Sequence, residues 1–122
     1  MANNNQIVWC DIPVKDLDRA IKFYSAVLGA TVEKESFPGM TIGLFPHAHD
    51  AVSGCLHTSD DVAPSAQGPL IYLNCEGRLD AAIATVAQNG GKVLKPKHPI
   101  GPYGYRAMVL DSEGNRIALH SK

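Results

Sequence analysis

Asp16-Leu17-Asp18-Arg19-Ala20-Ile21 in the first half of the chain returns as Arg78-Leu79-Asp80-Ala81-Ala82-Ile83 in the second. Each copy opens an amphipathic helix. In the first, Leu17, Ala20, Ile21, Tyr24, Val27 and Leu28 fall at three- and four-residue spacing, which gives a helix one apolar face. Asp16 or Asp18 supplies its N-cap and Gly29 its stop. The second copy runs over 79–88 into Gly90-Gly91, and each helix is followed by a β-prone stretch, Thr31-Val32 or Lys92-Val93-Leu94. A duplicated module of this kind closes a concave surface between its halves, the usual place for a small-molecule site.

Outward from the helices, β-branched and aromatic residues mark a first strand over 7–14, with Pro13 near its end. Short β-like runs follow at 31–34, 40–45 and 52–56, separated by Phe37-Pro38-Gly39 and Pro46-His47-Ala48-His49-Asp50. The second half repeats the order: a strand over 70–75, the helix, a strand over 92–95, a hairpin through Pro99-Ile100-Gly101-Pro102-Tyr103-Gly104, and strands over 105–110 and 116–120. Asp111-Ser112-Glu113-Gly114-Asn115 is the turn between the last two, because glycine and asparagine tolerate positive φ. The prediction is an α+β fold of two tandem βαβββ modules within one domain, residues 1–122. Module one covers about 7–57, a polar linker about 58–68, and module two about 69–120. Their strands form a curved, partly closed mixed sheet around a central cavity, with the helices outside.

Composition narrows the function classes. The 122 residues carry a formal net charge of −1, and the basic residues are scattered rather than gathered into a phosphate-tracking stripe, so nucleic acid is not an expected partner. Met1 to Gln6 has neither a basic nor an apolar signal region, and no apolar run approaches bilayer length. The expected location is cytoplasmic, away from membranes. Cys10, Cys55 and Cys75 form an odd, widely spaced set without a Cys-x-x-Cys pair, and read as small buried apolar residues.

The element order, Val14-x-Asp16-Leu17-Asp18-Arg19-Ala20-Ile21-x-Phe23-Tyr24-x-x-Val27-Leu28-Gly29, and Asp111-x-Glu113-Gly114-Asn115-Arg116-Ile117-x-Leu119 together resemble the vicinal oxygen chelate superfamily, which includes glyoxalase I, extradiol dioxygenases and the fosfomycin- and bleomycin-resistance proteins. The resemblance covers nearly the whole chain. It implies a divalent metal held by one residue from each of strands one, four, five and eight, and the positions matching those ligands are Trp9, Gly54, Leu70 and Ala118. None of these side chains offers a lone pair to a cation. The resemblance is therefore to the metal-free branch, with no metal and no cofactor expected.

Strand alternation selects what lines the cavity instead. Asp11 follows Trp9; Tyr72 and Asn74 follow Leu70; Arg116 and His120 flank Ala118. Cys10, Cys75 and Ile117 take the opposite face, beneath the helices. The loop bearing Tyr103 and Arg106 reads as a flap over the site or as an ordinary hairpin tip. The expected ligand-binding set is Trp9, Asp11, Leu70, Tyr72, Asn74, Tyr103, Arg106 and His120, with His120 as the acid-base candidate because imidazole titrates near neutrality. Ordinary roles compete: Asp11 satisfying backbone donors near Pro13, Asn74 ending a strand, His120 solvated near the C-terminus. His47 and His49 read as a surface loop, and His57 and His98 as solvated singles. Neither a dinucleotide nor a P-loop motif opens a helix, and no serine or cysteine sits in a nucleophile elbow.

The function expected from this set is binding of a small polar or aromatic molecule between the modules, without metal, in a homodimer of the kind similar superfamily members form. Two alternatives stand beside it. One is a metal-dependent lyase or dioxygenase using His120, Asp11 and Tyr72 as unusual ligands; the other is a non-catalytic dimeric interaction module whose cavity is plugged by Trp9 and Leu70.

Overall fold

In this computed structural model, which describes residues 5–122, hydrogen bonding divides the strands into two sets of four. Met1–Asn4, the start of the polar N-terminal stretch, lie outside the described residues. The chain runs β1 (Trp9–Pro13), α1 (Leu17–Leu28), β2 (Glu33–Phe37), β3 (Met40–Leu44), β4 (Ser53–His57), β5 (Ile71–Asn74), α2 (Leu79–Gln88), β6 (Lys92–Pro99), a 3-10 turn at Gly101–Tyr103, β7 (Tyr105–Leu110) and β8 (Arg116–Ser121). The tandem βαβββ order is as predicted. β6 extends four residues beyond its expected end, because register shifts between Val93 and Lys95 and between Lys95 and His98 accommodate Pro96.

The α+β architecture is as predicted, its strands hydrogen-bonded as two mixed sheets, β1-β4-β3-β2 and β5-β8-β7-β6, that do not close into a barrel. Each sheet buries one face under its own helix, and the helices pack against each other, so both modules share a single core. Phe23, Tyr24 and Val27 of α1, Val86 of α2, Leu56 of β4 and Leu119 of β8 are all fully buried within it. Cys75 and Ile117 belong to this core and Cys10 packs against it, on the helix side as the alternation required.

The duplication shows in the register of the parallel strand pairs. Pro13 aligns with His57 in the first sheet as Asn74 does with His120 in the second. The Val14 N–H then donates to the His57 carbonyl and the Cys75 N–H to the His120 carbonyl, each at 2.8 Å. Helix ends differ more. Asp16 caps α1 by accepting from the Arg19 N–H at 3.0 Å, and Gly29 ends it at φ 66°, whereas α2 starts at Arg78 without a side-chain cap.

The turn between β7 and β8 locks the modules together. Glu113, its side chain wholly buried, accepts from the backbone N–H groups of Lys15 and Asp16, each at 2.9 Å, and from Arg19 Nε at 2.7 Å. Burial pushes the Glu113 carboxyl up, but the Arg19 guanidinium, the two backbone donors and the Ser112 hydroxyl outweigh it and bring the pKa down to about 2. Beside it, buried Tyr24 donates to Asp111 at 2.6 Å and Asn115 Nδ2 to the Pro13 carbonyl at 2.8 Å. Burial and the Asp111 charge hold the Tyr24 phenol well above its ordinary pKa.

Candidate functional site

Because helices cover one face of each sheet, chemistry is left to the other, open face. On the second sheet the register sets out three rows across the strands: Arg116, Leu110 and Lys92; Tyr72, Ala118, Met108 and Lys95; Asn74, His120, Arg106 and His98. On the first sheet Asp11, Cys55, Leu44 and Glu33 form one row and Pro13, His57, Ile42 and Glu35 the next, with Trp9 beside Ser53 at the edge.

The second sheet gathers most of the predicted ligand residues. Arg106 Nη1 donates to the Tyr72 hydroxyl at 2.5 Å and its Nε to His98 Nε2 at 2.9 Å. His98 Nδ1 lies 2.8 Å from the Pro96 carbonyl; since that oxygen only accepts, Nδ1 carries the hydrogen and Nε2 the lone pair that Arg106 uses. His120 stands edge-on to Tyr72, with ring centroids 6.1 Å apart. Its Nε2 donates to the Tyr103 carbonyl at 2.7 Å. In the neutral ring this leaves the Nδ1 lone pair free, the arrangement a proton acceptor needs. The same bond pins the Gly101–Tyr103 turn to the sheet, while the Tyr103 ring remains 73% exposed.

Two ordinary readings are revised by these contacts and a third is upheld. His98, expected to be solvated and alone, is a partner of Arg106. His120 sits half-buried within β8 rather than in solvent. Asn74 does serve its strand end, accepting from the Glu76 N–H at 2.9 Å, and it pairs with His120 in the sheet. Leu70 immediately precedes β5 and makes no polar contact with this group.

Trp9 and Asp11 lie on the other sheet, apart from this cluster. Trp9 Nε1 donates to Asp11 Oδ1 at 2.9 Å, and the Cys55 thiol donates to the same oxygen at 3.3 Å. Asp11 therefore serves side chains, not the backbone near Pro13. Burial and the bond to Asp11 push the Cys55 thiol up to about 11, so it stays protonated and unreactive near neutrality. Gly54 is the residue that the resemblance matched to the fourth-strand ligand. Gly54 turns to the helix side, where a Cβ would meet the Cys10 carbonyl oxygen at 2.5 Å, and the shared register makes Cys55 the equivalent of Ala118. His47 touches Trp9 edge-on at 6.5 Å; His49 is exposed beside Asp50, as a surface loop requires.

The positions where related folds hold a metal are thus filled by Trp9, Cys55, Leu70 and Ala118. An indole, a thiol held protonated and two hydrocarbon side chains do not fit a divalent cation. Among the described residues no three histidine, cysteine or carboxylate side chains converge on one point. Clefts of about 420 and 440 Å³ lie elsewhere, one beside Arg78, Lys97 and Tyr105, the other between Lys15 and the linker. Neither is lined by a predicted ligand residue. No helix among the described residues is long and apolar enough to cross a membrane.

Comparison with known proteins agrees with this architecture. A glyoxylase-like domain-containing protein of Didymella fabae is 30% identical over 125 residues, covering 98% of this chain and 95% of that protein. The crystal structure of a glyoxalase/bleomycin resistance protein from Albidiferax ferrireducens T118 superposes with a TM-score of 0.76 at 21% identity, covering 97% of this chain and 99% of that one. A glyoxalase-related enzyme from Fulvimarina pelagi gives 0.72 at 13% identity, over 96% and 88% of the two chains. The family model matches residues 6–119. Fold, duplicated register and these matches agree: the chain belongs to the Glyoxalase/Bleomycin resistance protein/Dioxygenase superfamily.

Proposed function

We propose that this protein binds a small molecule against the open face of its second sheet, without a metal, and that a second copy of the chain completes the site. The observation that carries the reading is the cluster of Tyr72, Arg106, His98 and His120, in which each polar group is oriented by a neighbour. Pre-oriented polar groups beside exposed aromatic rings are what a specific pocket needs. Tyr72 and Tyr103 supply flat apolar surface, Asn74 a free amide nitrogen, and His120 a proton acceptor.

Charge supports the second copy. The open face of the first sheet carries Asp11, Glu33 and Glu35; that of the second carries Lys92, Lys95, Arg106 and Arg116. Two copies related by a twofold axis can set each acidic face against a basic one, an arrangement that closes on itself. Trp9 and Asp11 of one copy would then face Tyr72 and His120 of the other, uniting the predicted set across the interface.

Sedimentation and a fragment screen read by thermal shift, with and without chelator, test this. The expected result is a dimer that a bound fragment stabilises equally in both conditions, since a ligand of the folded state raises the melting temperature. Stabilisation that requires a divalent metal would replace this reading with the metal-dependent enzyme. A dimer whose Tyr72 and His120 resonances respond to no fragment would replace it with the interaction module.

A further inference from the structure

We infer that the ligand of this site carries a carboxylate, which Arg106 receives, on an apolar or aromatic body. The inference rests on the small-molecule reading above and adds the chemical class.

A guanidinium carries a positive charge, yet both groups that hold that of Arg106, the Tyr72 hydroxyl and His98 Nε2, are neutral acceptors. The strand residues of the same open face are Tyr72, Asn74, Lys92, Lys95, His98, Met108, Leu110, Arg116, Ala118 and His120; none is an acid. No ion pair among the described residues includes Arg106. Arg19, by contrast, ends on the buried carboxylate of Glu113. Within one chain Arg106 is fixed in place by neutral acceptors, with no carboxylate paired to it and with three of its five N–H donors unspent.

A guanidinium held in one orientation binds a planar oxyanion through paired N–H donors and loses little further freedom in doing so. The surroundings select an organic carboxylate over inorganic phosphate. Ala118, Met108 and the Tyr72 ring make the adjacent row apolar apart from its Lys95 edge, and the Tyr103 ring stands exposed nearby. Among the described residues both α-helices pack on the opposite faces of the sheets, so neither N-terminus is on this face to help neutralise a dianion. His120 Nδ1, next to Arg106 in its row, can accept a hydrogen bond from a hydroxyl on the ligand.

The test is an NMR titration of the full chain, ¹⁵N-labelled, with benzoate, its neutral isostere benzamide, and inorganic phosphate. Benzoate is expected to shift the amides of Tyr72, Arg106 and His120 saturably, benzamide to bind at least about tenfold more weakly, and phosphate more weakly than benzoate. Arg106→Gln should weaken benzoate about tenfold, and Arg106→Lys should restore part of the loss. If Arg106→Gln fails to fold, Tyr72→Phe takes its place: it frees the guanidinium to swing and should weaken benzoate about threefold.

Benzoate binding that is unchanged in these variants, or no stronger than benzamide or phosphate binding, overturns the carboxylate. Benzamide shifting these amides while benzoate does not would overturn the carboxylate and leave the small-molecule site standing. If neither moves them, the carboxylate is again overturned, and the fragment screen decides the site separately.

Discussion

His57 and His120 occupy equivalent places in the two modules, each aligned with the end of a parallel strand and each carbonyl bonded to the residue that follows it. Their side chains have diverged. His57 Nδ1 reaches only the neighbouring Thr58 carbonyl, at 3.3 Å. His120 bonds the Tyr103 carbonyl seventeen residues away and stands against Tyr72. The helix-facing rows are alike, with Ile12 and Leu56 answering Leu73 and Leu119, while the open faces carry opposite charge. Duplication has thus kept the half of each sheet that packs and released the open half. Packing tolerates little change in volume; a solvated face tolerates a change of charge at small cost.

The comparison is open to attack, most forcefully at the core. Leu56→Ala and Leu119→Ala remove matching, fully buried side chains, and each should cost about 2–5 kcal/mol in urea unfolding. A difference above about 2 kcal/mol between them would show that the modules are not equivalent in packing.

The interlock comes next, since only module two supplies Glu113. Glu113→Gln should cost on the order of 2–3 kcal/mol. Its folded pKa of about 2 lies below the ordinary glutamate value near 4.5. The stabilisation is therefore complete above the unfolded pKa and is lost as pH falls from about 5 toward 2. Denaturation followed over that range should show a steeper acid loss in the native chain than in Glu113→Gln.

Asp16→Ala should cost about 1 kcal/mol by removing the α1 cap. α2 has no such cap, so module one alone carries this sensitivity. Smallest in stability and sharpest in function, His57→Ala and His120→Ala should each change unfolding by less than about 0.5–1 kcal/mol. Only His120→Ala should weaken a ligand found by the fragment screen; equal loss in both would break the division of labour between the open faces.

Much of this was legible along the chain. Helix periodicity, the Asp16 and Gly29 caps and the Asp-x-Glu-Gly-Asn turn are local, so their residues announced them. Strand parity placed Tyr72, Asn74 and His120 together and sent Cys75 and Ile117 to the core. What parity could not supply was which strand lies beside which. Cys55 reaches Asp11 only because β4 pairs with β1 in one register, and His98 reaches Arg106 only because the shifts in β6 carry it past Pro96. A one-residue slip in either would have reversed the faces.

By itself the amino-acid sequence determined the duplicated βαβββ order, the apolar faces of both helices and the side chains without metal-donor atoms at Trp9, Leu70 and Ala118, because each depends on residue type and short-range spacing. The tertiary structure alone decided that eight strands make two sheets, that Trp9 and Asp11 lie apart from Tyr72 and Arg106, and that Glu113 ties the turn of module two to the first helix. Those outcomes depend on contacts between residues up to about a hundred positions apart, whose geometry is set by how the two helices pack into one core, and no local pattern encodes it.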